Sequence, residues 1–152
     1  MNINYIGLYA DQISNYLKRG VLGKAIDKQL IDISFKSLRD YADPPHFKVD
    51  DYPFSNKKGM LLRYDILKKA LMVAPNDVTF IMPDPKGPRF THAHAKALSK
   101  TSHLYFISPA YEGVDARVLS SFDIQLFSLG DVIVPNGDSA AAFMAEAIIR
   151  YL

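Results

Sequence analysis

Tyr111-Glu112-Gly113-Val114-Asp115, then Leu129-Gly130-Asp131 and Pro135-Asn136-Gly137-Asp138, form the stretch on which the reading of this fold turns. Its glycine-broken segments follow two short apolar runs, Leu104 to Ile107 and Ile124 to Leu129. A loop set directly after a buried strand is where an α/β protein presents main-chain groups to a ligand. Further toward the amino terminus, Asp84-Pro85-Lys86-Gly87-Pro88 makes a third bend after the apolar run Val78 to Met82. Glycine exposes backbone and proline fixes its direction, so loops at Pro83 to Pro88, Ser108 to Gly113 and Gly130 to Gly137 are able to converge on a small ligand. Closing a tight turn is the ordinary use of either residue, but three such loops in succession favour a site.

Outward from these loops the chain alternates between two periods. Ile3 to Tyr9 predicts a strand, and Ile13, Tyr16 and Leu17 a helix ended by Gly20. Val21 to Gln29 suits a short helix, and Ile31 to Phe35 alternates at period two. Asp43 to Gly59 has no convincing period and is expected to be a lid or substrate loop. Tyr64, Leu67, Lys68 and Leu71 mark a helix, Val78 to Met82 a strand, Thr91 to Ser99 a helix and Leu104 to Ile107 a strand. A short helix at Asp115 to Ser121 and a strand at Ile124 to Leu129 come next. Asp138 or Ser139 is placed to cap a last helix whose apolar face is Ala140, Phe143, Met144, Ala147, Ile148 and Tyr151. Strands alternating with helices predict an α/β fold, a mostly parallel sheet with helices on both faces.

With 152 residues, 49% hydrophobic and 22% charged, the chain is expected to form a single globular domain over 1–152. The absence of cysteine excludes disulfides and thiolate metal sites and suits a reducing, cytoplasmic setting. No segment reaches the roughly 18 apolar residues of a membrane span, and no signal-peptide layout opens the chain, so no membrane partner is expected. A net charge of +2 announces no nucleic-acid partner, and DNA is not expected. Local basic groups sit at Lys18, Arg19, Lys24 and Lys28, at Lys57 and Lys58, and at Lys86 and Arg89, where a solvated surface is the ordinary explanation.

Neither the dinucleotide fingerprint Gly-x-Gly-x-x-Gly nor a phosphate-binding Gly-x-x-x-x-Gly-Lys-Ser/Thr is present. His92 and His94 begin a predicted helix, where positions two apart do not share a face, so no metal site is expected; with His46 and His103 they read as surface histidines. Glu112, beside Gly113 at a strand end, is able to accept hydrogen bonds from a substrate amide or amine, or simply to sit near a helix start. Arg150 in the last turn of a helix is ambiguous in the same way.

Taken in order, the motifs resemble the TrmD-type tRNA (guanine-N1)-methyltransferases of the SPOUT class over nearly the whole chain. Tyr16 and Gly20-Val21-Leu22-Gly23-Lys24-Ala25 look like the opening helix and Gly-Val-x-Gly-Arg-Ala turn of that family. Leu38-Arg39-Asp40-Tyr41, Val49-Asp50-Asp51-Tyr52-Pro53 and Gly59-Met60-Leu61 match later segments. Asp84-Pro85-Lys86-Gly87 stands for Ser-Pro-Gln-Gly, and Tyr111 to Val118 for Tyr-Glu-Gly-Ile-Asp-Glu-Arg-Val. The resemblance implies a carboxyl-terminal trefoil knot, in a homodimer with cofactor pockets at the subunit interface. It implies S-adenosylmethionine (S-adenosyl-L-methionine) as methyl donor and a tRNA guanine as acceptor. Pro85, Gly87, Glu112, Leu129, Gly130, Val132, Val134 and Gly137 are carried over as the cofactor's surroundings, with Pro109 where the pocket's second loop begins. Glu112 and Arg150 are carried over as the catalytic pair, one recognising guanine and one near the transferred methyl.

Departures shape a rival expectation. The family's base is an aspartate in the linker to a helical carboxyl-terminal domain, and both are expected to be absent from a chain ending at Leu152. Its Cys-Gly-Arg is Ser108-Pro109-Ala110 here, and proline has no N–H to offer a cofactor. Its glycine-rich loop is Phe54-Ser55-Asn56-Lys57-Lys58, and its second Gly-Gly is Asn136-Gly137. The alternative to an active methyltransferase is therefore a degenerate, non-catalytic relative that binds RNA, cofactor or a partner subunit.

Overall fold

The computed structural model describes residues 1–53 and 59–152; the predicted loop Phe54 to Lys58, with its two lysines, lies outside the described residues. Strands β1 (Asn2–Gly7), β2 (Asp32–Ser37), β5 (Val78–Pro83), β6 (His103–Ile107) and β7 (Ile124–Phe127) form one sheet in the order β2-β1-β6-β5-β7. Every neighbouring pair in it is parallel, with Asn2 opposite Asp32 and His103, Val78 opposite His103, and Phe80 opposite Ile124. Parallel strands need crossovers, and these are helices α1 (Ala10–Leu17), α2 (Gly20–Asp27), α3 (Tyr64–Met72), α4 (His92–Leu98) and α5 (Arg117–Ser121), followed by α6 (Asp138–Ile149). The short strands β3 (Asp50–Asp51) and β4 (Leu61–Leu62) pair antiparallel beside the sheet, giving part of the aperiodic Asp43 to Gly59 stretch an ordered role.

Alternation along the strands produces two cores. Ile3 and Tyr5, Ile81, and Leu104 and Phe106 face one layer, while Ile6, Phe80 and Met82, and Tyr105 and Ile107 face the other. The first layer is closed by α1, α2, α4 and α6, through residues such as Ile13, Leu22, Leu98 and Met144. The second is closed by α3 and α5, through Ile66, Leu67, Leu71 and Val118. Each fully buried aliphatic side chain here contributes about 1.5–3 kcal/mol relative to exposure.

The last strand and the last helix differ from the sequence expectation. The last strand ends at Phe127, because Ser128 and Leu129 already belong to the loop that Gly130 turns at φ +108°. No side chain caps α6: Gly137 precedes it, and the Asp138 carboxylate turns inward instead. That helix buries Ala140–Ala142, Met144, Ala145, Ile148 and Ile149, so Phe143 and Tyr151 of the predicted apolar face are exposed, Phe143 by 56%. Helix α4 is as read, begun by Thr91, whose Oγ1 accepts from the His94 N–H while His94 Nδ1 accepts from the Thr91 N–H.

Candidate functional site

The sheet's order reverses where β6 and β7 flank β5, and open α/β sheets place ligands at the carboxyl ends of strands beside such a reversal. The loops following β5, β6 and β7 all leave from that edge and enclose a cavity of about 350 Å³. Pro85 lines it from the first loop, and Pro109 and Glu112 from the second. Leu129, Gly130, Val132, Val134 and Gly137 line it from the third. The structure thus gathers eight of the nine residues singled out for a cofactor. Gly87 is not among the lining residues; a Cβ there would lie 2.7 Å from Leu126 C and Phe127 N, so it lets the first loop pack on β7.

The third loop is tied at both ends and open between. At its start the Ser128 N–H donates to Pro88 O and the Phe90 N–H to Ser128 O, at 2.9 and 2.7 Å, and Ser128 Oγ accepts from the Gly130 N–H at 3.0 Å. At its end the Gly137 N–H donates to Pro109 O at 2.8 Å, and the Asp138 N–H to Asn136 Oδ1 at 3.0 Å. Among the described residues, the main-chain N–H groups of Leu129, Ile133, Val134 and Asn136 find no acceptor within the chain. These are donors available to a ligand beside an apolar wall, the composition of a small-molecule pocket.

Glu112 stands at the cavity rim, fixed by backbone rather than by a charged partner. Its N–H donates to Met60 O at 3.0 Å, and on either side of Val114 the Leu62 N–H donates to Gly113 O and the Asp115 N–H to Leu62 O. Gly59, at φ +113°, crosses directly over the Glu112 side chain; a Cβ there would lie 2.3 Å from Glu112 Cγ. Tyr111, held at φ +57°, also lines the cavity, with its phenol pushed up by burial and then by Asp50 and Tyr9, and pulled back by Arg39. Tyr111 stands inside a motif already marked in the sequence but carries no local sign of being a cavity wall, and the crossing of Gly59 over Glu112 joins positions remote in the chain.

Asp115 anchors the same loop. Its carboxylate accepts from the Arg117 main-chain N–H at 3.0 Å and pairs with the Arg117 guanidinium at 2.6 Å, which together hold it below the usual carboxylate range against partial burial. A carboxyl depressed in the folded state contributes stability that is complete above the unfolded value of about 3.9 and is lost as pH falls through the lower folded value. Asp115→Asn is therefore expected to cost stability at pH 7 and progressively less toward pH 3. Urea unfolding of both proteins across that range checks it; a constant gap would refute the linkage.

Arg150 lies elsewhere. With Phe90, His92, Phe143 and Tyr151 it borders a second cavity of about 460 Å³ between α4 and α6. One chain therefore does not bring Glu112 and Arg150 together. The histidines differ in setting: His92 is hydrogen-bonded to the Tyr151 hydroxyl, while half-buried His94 packs on Phe127 with centroids 4.9 Å apart, a structural use beyond the surface role expected. His103 faces Asp77 at 3.8 Å.

Among the described residues no helix is long and apolar enough to cross a membrane. The family model described as tRNA (Guanine-1)-methyltransferase TrmD matches residues 1–152. A tRNA (guanine-N(1)-)-methyltransferase of Deinococcus radiodurans is 36% identical over 154 residues, covering 99% of this chain and 55% of that protein. Proteins of the same name from Campylobacter jejuni subsp. doylei and Leuconostoc mesenteroides are each 33% identical, covering 99% and 100% of this chain and 65% and 63% of their own length. The chain thus spans between 55% and 65% of these relatives. Matched over its whole length, with a cavity where its motifs converge, the chain belongs to the tRNA (guanine-1)-methyltransferase TrmD family.

Proposed function

We propose that residues 1–152 are the cofactor-binding, knotted domain of a cytoplasmic, homodimeric tRNA (guanine-N1)-methyltransferase that uses S-adenosylmethionine. The convergence of three strand-end loops on one cavity, with Glu112 at its rim, carries this reading. The cavity volume of about 350 Å³ falls in the range of small-molecule sites. Free N–H donors and the apolar side chains of Leu129, Val132 and Val134 fit an adenosine group, and the Glu112 carboxylate suits a cationic ligand or a guanine N–H edge. The hydrogen bond from Gly137 to Pro109 returns the chain after β7 to the end of β6, in keeping with a knotted path.

Once bound, S-adenosylmethionine supplies an electrophilic methyl group. The protein has to orient guanine N1, remove its proton and offset charge on the guanine oxygen. In this reading Glu112 orients the guanine edge, and Arg150 of a second copy faces the oxygen. The base is an aspartate that the resemblance places beyond the matched region. Exposed Phe143, Ile133 and Tyr16 offer apolar surface for the second copy.

Pro109 supports a second reading. It lines the cavity without an N–H, and its carbonyl is already taken by Gly137, which suits a relative that binds ligand without catalysis. Calorimetry with S-adenosylmethionine and transfer of labelled methyl to unmodified tRNA separate the two. Binding with transfer to guanine N1 supports the enzyme, binding without transfer the second reading, and no heat at millimolar ligand defeats the cofactor assignment.

A further inference from the structure

Three polar side chains meet beneath the third loop. Tyr5 lies on β1, Ser108 just past β6, and Asp138 opens α6; both hydroxyls donate to the same carboxylate oxygen, Asp138 Oδ1. Tyr5 and Ser108 are 1% and 2% exposed, in a region otherwise filled by apolar residues. A carboxylate drawn into such surroundings is retained only when donors replace its water, and two charge-assisted bonds to one oxygen do so here. Burial, and then the bond to Asp138, raise the Tyr5 phenol well above its ordinary range, so Tyr5 remains a donor throughout the physiological range.

Space for the cluster is made by glycine. A Cβ on Gly7 would stand 3.0 Å from both Ser108 Cβ and Tyr5 Cε1. The cluster is contiguous with the cavity: Pro109 and Gly137, neighbours in sequence of Ser108 and Asp138, both line it. Between them run the bonds from Gly137 to Pro109 and from Asp138 to Asn136. Asp138 is thus the point where the carboxyl end of the third loop is fastened to two central strands. Its side chain does not cap its own helix, so ordinary helix capping does not account for it.

We propose that Tyr5, Ser108 and Asp138 are positioning residues that set the third loop in its ligand-binding form. They touch no ligand themselves; they fix the direction in which Asn136 and Gly137 leave the cavity wall. The link to S-adenosylmethionine rests on the functional reading above, whereas the effect on the loop does not.

Tyr5→Phe and Ser108→Ala each remove one donor with little change of shape, and Asp138→Asn removes the charge. Calorimetry with S-adenosylmethionine is expected to show affinity about threefold to tenfold weaker for each of the first two and about thirtyfold weaker for the third. Amide exchange in the free protein is expected to quicken at Gly137 and Asp138 while the strand amides of β1 and β6 keep their protection. Thermal unfolding of each free variant reports any general loss of fold. Unchanged affinity in variants whose melting temperature falls would show a merely structural cluster and overturn the proposal. If the wild-type protein takes up no S-adenosylmethionine, the cofactor reading fails and exchange alone decides: faster exchange confined to the loop end supports the positioning role, and unchanged exchange overturns it.

Discussion

Replacing Gly137 by alanine is expected to abolish ligand uptake in the first cavity and to lower stability by about 1–3 kcal/mol. The backbone itself would accept the change, since Gly137 has φ −77°. The obstacle is steric: an added Cβ would lie 2.3 Å from Pro109 Cδ and 3.0 Å from Pro109 Cγ and N. A pyrrolidine ring is closed onto its own backbone and has no flexible end to swing aside. The loop therefore has to lift, stretching the 2.8 Å bond from the Gly137 N–H to Pro109 O and pulling Asp138 off Tyr5 and Ser108. Urea unfolding and calorimetry with S-adenosylmethionine measure both effects, with the exposed neighbour Ser139→Ala as the control expected to change neither. Wild-type affinity in Gly137→Ala would mean that this loop is not a wall of the ligand site.

What the sequence made legible was local or ordered by motif. Alternation from Ile3 to Tyr9 marks a strand, whose two faces serve different cores, with Ile3 and Tyr5 on one and Ile6 on the other, and the run from Thr91 to Ser99 marks α4. The three loops were legible because glycine and proline after an apolar run have few other uses. Leu129 resumes the apolar run after Phe127 and so extends the predicted strand across Ser128, whereas the turn is imposed by pairing of Ser128 with Arg89 and by Gly130. Spacing at three and four named an apolar face on α6, yet a helix packed by α1, α2 and α4 buries a broad arc, and which residue of that arc stays out depends on neighbours the pattern does not encode. A local rule favours Asp138 or Ser139 as a cap, whereas the partner that claims Asp138, Tyr5, stands 133 residues away, beyond any window. The same holds for Gly59 over Glu112.

Mixing two inactive variants is expected to restore activity, and this prediction bears most directly on the separation of Glu112 from Arg150. The two residues border different cavities in one chain, so a guanine touched by both has to lie between two chains. In tRNA-methylating protein, Glu112→Gln and Arg150→Ala are each expected to reduce turnover by about a hundredfold or more, as losing a charged group from a reacting centre does. In the proposed two-fold dimer there are two equivalent sites, each built from Glu112 of one subunit and Arg150 of its partner. Random exchange of equal amounts makes about half of the dimers mixed, and in each mixed dimer one site keeps both native residues while the other has lost both. Activity of about a quarter of wild type follows from that count alone. Were both residues contributed by the same subunit, every site in the mixture would carry one defect, and no recovery would occur at any ratio. The exposed apolar residues supply an independent check. Ile133 is fully exposed and Phe143 is 56% exposed, beside the two cavities, and burying them against a second copy is what an interface of roughly 1,600 Å² requires. Phe143→Asp is then expected to shift sedimentation toward the monomer and to remove the recovered activity together with the dimer, whereas complementation that survives in a monomeric variant would place the partner residue elsewhere.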